Sequence, residues 1–247
     1  MVRMIVTDLD GSLVPGNKII SDYTIDIFGK CRDKGIVFTF ATARVIKWKR
    51  FYEVLKPDAV IYNNGSAILA DNQLIGTYRI SSKITKNILE KIKMKCPEST
   101  LSVRINDVLY TDFDMDDSIS YTNIKNMPDG EADRIIIGGI PEEKIMEMRE
   151  FIPKNMTLEI DFRKFGVITN KKATKWNGIK KLSEFYGIKT ESIVSFGDDT
   201  ADMEMIRNCG IGVAMENGKD KVKSIAKHIC KSNENDGIAQ WIEKSIL

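Results

Sequence analysis

The chain has 247 residues, of which 43% are hydrophobic and 29% are charged, and its formal net charge is +2. This composition is typical of a globular protein, and the near balance of acids and bases gives no electrostatic footprint for nucleic acid or an anionic membrane. Since no apolar run reaches the length of a membrane span and the first residues differ from a signal peptide, we expect a cytoplasmic protein without nucleic-acid or membrane partners, of unknown oligomeric state.

Short apolar runs that end in polar residues recur towards both ends of the chain. They predict strands at 4–8, 36–42, 59–63, 193–197 and 210–214. Such continuous apolar runs are typical of strands buried on both faces, as in a parallel sheet. Between the strands, Ser21 and Thr174 are predicted N-caps of helices that end at Gly35 and Gly187. This alternation predicts a doubly wound α/β domain with a parallel sheet.

The middle of the chain has a different pattern. A helical spacing of apolar residues begins near Ile84, and more polar strand candidates follow at 101–105, 108–111, 135–137 and 158–162, with a helix at 142–151. We interpret residues 80–170 as an inserted α+β domain, so that residues 1–79 and 171–247 together form the doubly wound domain.

Four aspartates in the insert imitate the start of an EF-hand calcium loop. They are Asp112, Asp114, Asp116 and Asp117. Asp117, however, stands where this loop needs glycine, and Asn123 stands where it needs a bidentate glutamate. We therefore interpret the segment as a solvated acidic loop.

The chain has a single histidine, His228, and four scattered cysteines without a Cys-x-x-Cys pair. Zinc hydrolase sites, and serine or cysteine nucleophiles, usually need imidazole groups that this composition does not supply. We interpret His228 as structural because it lies in an apolar stretch, and the cysteines as buried free thiols. Any chemistry must therefore use carboxylates, lysine, hydroxyl groups and a hard cation.

Of the strands predicted in residues 1–79 and 171–247, all but the last end in polar residues that can take part in catalysis or ligand binding. These are Asp8 and Asp10 after the first, Thr42 and Arg44 after the second, Asn63, Asn64 and Gly65 after the third, and Asp198, Asp199 and Asp202 after the fourth. Because the carboxyl ends of parallel strands share one edge of a sheet, we expect these groups to converge. Carboxylates without histidine or thiolate favour Mg²⁺, and its candidate ligands are Asp8 and Asp198, with Asp202 close enough to join them or to orient a water.

Structural explanations of the same residues stay open. Asp8 and Asp10 could form an ordinary strand-to-turn junction, and Asp198 or Asp199 could simply cap the next helix. Lys175 lies in the first turn of its predicted helix, where the macrodipole disfavours a cation by about 0.3–1 kcal/mol. This position indicates a nearby anion, but a solvated basic face is an equal alternative.

Four motifs in sequence order resemble a known family. They are Asp8-Leu9-Asp10-Gly11-Ser12, Thr42-Ala43-Arg44, Lys175, and Gly197-Asp198-Asp199-Thr200-Ala201-Asp202. Over nearly its whole length the chain resembles the haloacid dehalogenase-like hydrolases, and among them the Cof-type sugar phosphatases. The resemblance implies a Rossmann-like core, formed by residues 1–79 and 171–247, with an inserted α+β cap domain at 80–170.

The resemblance also implies roles for individual residues. Asp8 would be the nucleophile that forms an aspartyl-phosphate, and Asp10 the general acid and base. Mg²⁺ would be held by the Asp8 side chain, the Asp10 backbone carbonyl, Asp198 and Asp202. The residues implied to bind the phosphate are Thr42, Ala43, Arg44, Asn64 and Lys175. We expect the substrate to be a small phosphorylated metabolite of the sugar-phosphate type.

Asp10 favours a phosphatase over a dehalogenase, because a dehalogenase has no leaving alkoxide to protonate. A phosphomannomutase-like phosphomutase and a phosphate-binding module without turnover are the alternatives. Three positions depart from the family pattern, namely Ser12 for threonine, Ala43 for glycine and Ala201 for asparagine. The last change removes an amide beside Asp202, which weakens the assignment of Asp202 as a ligand.

Overall fold

The computed structural model describes residues 1–44, 49–106, 108–115, 119–161 and 163–247, and for residues 49 and 50 it describes the backbone only. Asp116 and Asp117 of the predicted acidic loop and Phe162 of the predicted strand 158–162 lie outside the described residues.

The described residues form fourteen strands and eight α-helices. The strands are β1 (Met4–Thr7), β2 (Val37–Ala41), β3 (Ala59–Tyr62), β4 (Ala67–Ala70), β5 (Gln73–Thr77), β6 (Thr100–Ile105), β7 (Val108–Thr111), β8 (Thr122–Asn123), β9 (Ala132–Gly138), β10 (Met156–Ile160), β11 (Gly166–Asn170), β12 (Ile193–Gly197), β13 (Ile211–Met215) and β14 (His228–Cys230). The helices are α1 (Asp22–Asp33), α2 (Lys49–Leu55), α3 (Ser82–Lys95), α4 (Glu142–Glu147), α5 (Lys175–Tyr186), α6 (Met203–Asn208), α7 (Asp220–Lys223) and α8 (Gly237–Ser245).

The chain divides into two compact units. Met1–Thr77 and Thr174–Leu247 form the first, which we call the core unit, and Tyr78–Ala173 form the second, which we call the insert unit.

The core unit is built on an eight-stranded sheet with the order β14-β13-β12-β1-β2-β3-β4-β5. Neighbouring strands from β14 to β3 are parallel, whereas β4 and β5 are antiparallel additions at one edge. The chain runs outward from β1 through β2 and β3 on one side, and through β12, β13 and β14 on the other. In such sheets, ligands bind at the carboxyl ends of the strands where the strand order reverses, which here is beside β1.

Apolar side chains cover both faces of this sheet. Helices α1, α2 and α8 pack on one face through residues such as Phe28, Phe51 and Ile242, which join the core around Ile5 and Phe196. Helices α5 and α6 contact each other and the strands β3, β4, β12 and β13. All four residues of β1 are buried, as expected of a strand covered on both sides. The predicted fold class, a doubly wound parallel sheet with an α+β unit, is confirmed.

The predicted helix caps of the core unit are also confirmed. The Ser21 hydroxyl accepts a hydrogen bond from the Thr24 backbone N–H at 3.0 Å, and the Thr174 hydroxyl accepts one from the Asn177 N–H at 3.1 Å. Gly187 ends α5 in the left-handed conformation, with φ of 62°.

Strands β4, β5 and β14 are additions that the apolar runs did not predict. Strands β4 and β5 form a hairpin whose two-residue turn, Asp71-Asn72, has positive φ at both positions. This geometry is that of the favoured hairpin turns, and Asn and Asp tolerate it best among residues with side chains. The turn residues therefore carried a hairpin signal, although the flanking segments Ala67–Ala70 and Gln73–Thr77 are short and weakly patterned.

The insert unit has a six-stranded sheet with the order β10-β11-β9-β6-β7-β8. Its pairs are antiparallel apart from β7 and β8. Ile88 and Ile92 of α3 and Ile145 of α4 share one apolar core with Val103 of β6 and Ile135 of β9, so the helices cover a single sheet face.

Two residues of the predicted acidic loop, Asp112 and Asp114, are among the described residues, and their surroundings differ. Asp112 departs from the solvated interpretation, because its carboxylate accepts a hydrogen bond from the Leu101 N–H at 2.7 Å and lies 2.6 Å from the Lys93 ammonium. It anchors the start of β6 instead. Asp114 is exposed and accepts a hydrogen bond from the Tyr121 hydroxyl.

The cysteines are buried free thiols, as predicted, and His228 lies exposed on the edge strand β14, with its ring 5.7 Å from that of Trp241. Within the described part of the chain, the helices are all too short or too polar to cross a bilayer.

Candidate active site

Asp8 stands at the carboxyl end of the central strand β1. Its backbone N–H extends the ladder to β12 by donating to the Phe196 carbonyl at 3.0 Å. The chain then turns tightly, since the Leu13 and Val14 N–H groups donate back to the Asp8 and Leu9 carbonyls. Asp8 is only 6% exposed, so its carboxylate needs a compensating partner.

Lys175 is that partner. It follows the N-cap Thr174, and its side chain is 3% exposed. Its ammonium donates to Asp8 Oδ1 at 2.6 Å and to Asp202 Oδ1 at 2.5 Å. Lys175 therefore lies beside two buried carboxylates, and the alternative of a solvated basic face does not apply to it.

Asp199 and Asp202 organise the segment after β12. Asp199 is the N-cap of the 3-10 turn Thr200–Asp202, and its carboxylate accepts from the Thr200 N–H. Asp202 Oδ2 accepts from the N–H groups of Asp198 and Asp199, both at 3.0 Å. Capping is therefore the function of Asp199, with Asp202 completing a capping box, and it does not occupy the Asp198 side chain.

Asp198 contacts the turn that follows β1. Its Oδ1 accepts a hydrogen bond from the Ser12 hydroxyl at 2.7 Å. Gly11 lies beside it with φ of 84°, and a Cβ atom there would be 2.4 Å from Asp198 Oδ2. Only glycine satisfies both the left-handed backbone and this close approach. The Asn217 amide donates to the Gly11 carbonyl at 2.7 Å and holds the turn from the opposite side.

The charges are not balanced in the group formed by Asp8, Lys175, Asp198 and Asp202. Burial raises the pKa of Asp8 above its ordinary value; Lys175 opposes the increase and Asp202 adds to it. Burial also raises the pKa of Asp198, against the hydrogen bond from Ser12. Burial alone would lower the pKa of Lys175, but Asp202 and Asp8 outweigh this effect and hold it above its usual range. Three carboxylates thus face one ammonium, which leaves room for further positive charge.

The donor set fits Mg²⁺. Asp8, Asp198 and Asp202 each offer a carboxylate oxygen, and these oxygens lie within 4.8 Å of one another. All three donors are oxygens, which suit a hard cation better than zinc or copper. Asp198 is only partly buried, so solvent reaches this member of the group. These three residues could hold a metal ion, whereas the predicted contribution of the Asp10 carbonyl stays a prediction.

Asp10 pairs with Arg44. The Arg44 Nε donates to Asp10 Oδ2 at 2.5 Å and its Nη2 donates to Oδ1, a bidentate arrangement. The Lys18 ammonium lies 3.5 Å from the same carboxylate. Hydrogen bonding by Arg44 lowers the pKa of Asp10, although this carboxylate is about half exposed. Asp10 is therefore held here as a carboxylate.

The other predicted phosphate-binding residues belong to two adjoining loops. Thr42 is 2% exposed, and its hydroxyl accepts from the Arg44 N–H at 3.0 Å, while Ala43 is exposed. Asn63 and Asn64 both adopt positive φ, and their N–H groups donate to the Arg44 and Thr42 carbonyls at 3.0 and 2.9 Å. Asn64 thus contacts the Thr42–Arg44 segment through its backbone.

Comparison with known sequences identifies the family. A sequence model for haloacid dehalogenase-like hydrolases matches residues 5–242. The chain belongs to this family. The predicted family and the predicted enzyme class, hydrolase, are therefore confirmed for almost the entire chain.

Relatives of this haloacid dehalogenase-like hydrolase include phosphatases. The 5-amino-6-(5-phospho-D-ribitylamino)uracil phosphatase YitU of Bacillus subtilis is 28% identical over 262 residues, which cover 98% of this chain and 96% of YitU. Two solved structures share the fold. TM0651 from Thermotoga maritima has a TM-score of 0.87 at 24% identity, covering 100% of this chain and 98% of its own. The subclass IIB sugar phosphatase BT4131 has a TM-score of 0.80 at 24% identity, covering 98% of both chains.

The predicted site residues did not include Ser12 and Asn217, which position this hydrolase's acids, whereas Asp199 was named as a possible helix cap. Ser12 and Asn217 hold Asp198 and the Gly11 turn, and Asp199 caps the segment that carries Asp202. Asn217 follows an apolar strand in the same way as the predicted residues, so its position carried a usable signal. No sequence signal indicated the pair of Asp10 with Arg44, because the partner of a long flexible side chain cannot be read from the sequence.

Proposed function

We propose that this hydrolase is a Mg²⁺-dependent phosphomonoesterase that acts on a small phosphorylated metabolite, of the sugar-phosphate type, through an aspartyl-phosphate. One observation supports this proposal most strongly. Asp8, at the end of the central strand, lies within hydrogen-bond distance of Lys175 in a group that also contains Asp202 and Asp198. A buried carboxylate beside an ammonium and further acids suits a nucleophile that must meet a charged phosphoryl group.

In the proposed reaction, a carboxylate oxygen of Asp8 bonds to phosphorus while the bond from phosphorus to the ester oxygen breaks. Asp10 gives a proton to the leaving alkoxide, and then takes one from the water that attacks the aspartyl-phosphate. Phosphate leaves and the Asp8 carboxylate is restored. Lys175 and Thr42 neutralise and orient the phosphoryl oxygens, with Ala43, Arg44 and Asn64 forming the surrounding loops.

Asp8, Asp198, Asp202 and the Asp10 carbonyl would hold Mg²⁺. When bound, the ion would neutralise charge that develops on the transferred phosphoryl group. The ion pair of Asp10 with Arg44 adds a requirement to the proposed reaction. Since Arg44 lowers its pKa, Asp10 must leave this ion pair before it can carry the proton that the first step needs.

The substrate class is supported by the relatives and not by a bound ligand. The name of YitU includes a 5-phospho-D-ribityl group, and BT4131 is a sugar phosphatase. We propose that the insert, predicted at residues 80–170, is a cap domain that selects among such phosphate esters, while residues 1–79 and 171–247 supply the chemistry.

The test is a screen of phosphorylated sugars and polyols for phosphate release, with Mg²⁺ and with EDTA. We expect hydrolysis with Mg²⁺ only, and a loss of at least about 1,000-fold in kcat for Asp8→Asn because the nucleophile is removed. Asp26→Asn is the matched control, since Asp26 lies exposed on α1 and pairs only with Lys30 among the described residues.

Two results would reject the proposal. Hydrolysis that persists in purified Asp8→Asn contradicts the nucleophile assignment. Conversion of a hexose phosphate into an isomer without net phosphate release would instead indicate a phosphomutase.

A further inference from the structure

The loop before α8 contacts the segment that follows the central strand β1. This loop consists of residues 232–236, and we call it the C-terminal loop. The Asn233 amide donates to the Val14 carbonyl at 2.9 Å, across 219 positions of sequence. The Glu234 carboxylate accepts a hydrogen bond from the Gly16 N–H at 2.7 Å. The C-terminal loop therefore supports the chain just after the proposed nucleophile and general acid.

Asn233 supports the turn after Asp10 at both of its ends. Its side chain bonds to the Val14 carbonyl, and its backbone N–H donates to Asn217 Oδ1 at 3.3 Å. The Asn217 amide in turn donates to the Gly11 carbonyl at 2.7 Å. Gly11 directly follows Asp10, and Val14 forms an isolated β-bridge with Asp10. One residue of the C-terminal loop thus restrains the start and the end of this turn.

The glycine in this turn makes such a restraint necessary. Position 11 needs glycine, because its φ is 84° and a Cβ atom there would lie 2.4 Å from Asp198 Oδ2. Glycine, however, adopts left-handed and right-handed conformations about equally well, so its own backbone does not fix the turn. Since the peptide bond is planar, rotation about the N–Cα bond of Gly11 also turns the Asp10 carbonyl. The hydrogen bond from Asn217 to the Gly11 carbonyl restricts this rotation.

The C-terminal loop is itself fixed on the core unit. The Gly237 N–H closes the loop by donating to the Ser232 carbonyl at 3.1 Å. Asp236 Oδ1 accepts from the hydroxyl groups of Ser21 and Thr24 at 2.7 and 2.9 Å, which ties the loop to the start of α1. Helix α8 follows at once, and its apolar side chains join the core of the sheet. The loop can therefore hold the turn after Asp10 in one position.

We propose that Asn233 is a positioning residue for the Mg²⁺ site, which fixes the turn after Asp10 and thereby the place of the Asp10 carbonyl beside Asp198. The inference rests on the proposed function, which assigns both groups to the metal. Mg²⁺ requires nearly ideal octahedral geometry, with oxygen atoms at about 2.0–2.1 Å, so a small displacement of one ligand weakens binding. Residues that orient metal ligands typically contribute roughly 10- to 100-fold to the affinity for the metal.

The affinity for Mg²⁺ is measured without turnover, by thermal unfolding of the full chain in EDTA and across a Mg²⁺ series. We expect Asn233→Ala to raise the Kd for Mg²⁺ roughly tenfold or more, because the turn loses its bond at the Val14 carbonyl. Asn233→Ser is a second variant with the same expectation, since its shorter side chain does not reach this carbonyl. Asn235→Ala is the matched control, because the Asn235 amide donates within the loop, to the Ser232 hydroxyl oxygen at 2.8 Å.

A purely structural role of Asn233 predicts a different result. The melting temperature would then fall by the same amount in EDTA and in Mg²⁺, and a wild-type Kd in either Asn233 variant overturns the inference. An equal rise of Kd in Asn235→Ala also overturns it, because the effect would then belong to the stability of the loop. Failure of the proposed function is seen separately. In that case wild type itself is not stabilised by Mg²⁺, which rejects the metal site together with the role of Asn233.

Discussion

The Lys175 ammonium and the Asp8 carboxylate are joined at 2.6 Å across 167 positions of sequence, and both side chains are almost wholly buried. The same ammonium also contacts Asp202. Lys175 therefore compensates two acids that would otherwise repel each other away from water, so it contributes to stability as well as to the proposed chemistry.

Replacement of Lys175 by methionine should destabilise the core unit strongly. Breaking a buried charge pair by removing one partner costs about 3–5 kcal/mol, because the remaining charges are left uncompensated. We expect Lys175→Met to lower the free energy of unfolding by this amount in urea titrations at pH 7 with EDTA. Lys180→Met, in the same helix but exposed, should stay within about 0.5 kcal/mol of wild type. Equal stabilities of the two variants would contradict this account.

Gly65 fixes the distance between the turn after β3 and the start of α5. Its φ is 109°, and a Cβ atom there would lie 2.3 Å from the Thr174 carbonyl oxygen. Gly65→Ala should therefore displace the helix start that carries Lys175. We expect the free energy of unfolding to fall by about 3 kcal/mol or more, since backbone strain and overpacking act together.

Gly187→Ala is the control for backbone strain alone. Gly187 ends the same helix with φ of 62°, but apart from its own helix and chain neighbours no atom of the described residues lies within 4 Å of the position that a Cβ atom would occupy. This variant should lose only about 1–2 kcal/mol, which is the cost of the left-handed conformation. Both variants are compared by urea unfolding and by turnover, and a smaller loss for Gly65→Ala than for Gly187→Ala would exclude the proposed clash.

The convergence of the acids was predictable, because it follows from the topology of a parallel sheet. Apolar runs located β1, β2, β3 and β12, and parallel strands place their carboxyl ends at one edge. Asp8 then comes together with Asp198 and Asp202, although about 190 residues separate it from them in the chain. Lys175 was only partly predictable: a cation in the first turn of a helix indicates a nearby anion, but the surrounding lysines made a solvated basic face an equal alternative.

Side-chain pairing was not predictable to the same degree. The apolar pattern of the sequence does not distinguish Asp198 from Asp199. Only the folded turn shows that Asp199 is the helix cap and that Asp198 contacts Ser12. The partner of Asp10 was also hidden, because Arg44 reaches it through a long side chain from a different loop. In the insert, strand register decides that Arg104 and Arg134 are opposite, and a shift of one residue would place them on the other face.

Asp10 should matter most when the leaving group needs a proton. A general acid contributes roughly 10²- to 10⁴-fold, but nitrophenolate leaves without protonation. With p-nitrophenyl phosphate, Asp10→Asn should release one nitrophenolate per protein rapidly and then turn over slowly, because hydrolysis of the aspartyl-phosphate lacks its base. With glycerol 1-phosphate, the first step itself should be slow.

Rapid-quench measurements with the two esters separate these steps. The exposed Asp26→Asn variant should match wild type in both. If Asp10→Asn slows the first turnover equally for both esters, Asp10 does not act as the acid. Its pair with Arg44 would then be a contact that organises the loop.

Asp198 should decide the affinity for Mg²⁺, because it is the least buried of the three acids and its carboxylate is not bonded to Lys175 in the described contacts. An ion that binds only the folded protein raises the free energy of unfolding by RT ln(1 + [Mg²⁺]/Kd). This increase is about 2.7 kcal/mol when the Mg²⁺ concentration is 100 times Kd. Thermal unfolding across a Mg²⁺ series therefore reports Kd without turnover. We expect Asp198→Asn to weaken binding at least about tenfold, since a charged ligand is lost.

Asp199→Asn is the neighbouring control for this measurement. Asp199 caps the turn Thr200–Asp202 and pairs with Lys219, and asparagine preserves the cap. Its Mg²⁺ response should therefore remain close to that of wild type. If Asp198→Asn and wild type show the same stabilisation by Mg²⁺, the ion binds elsewhere, and the unbalanced charge around Lys175 has a different function.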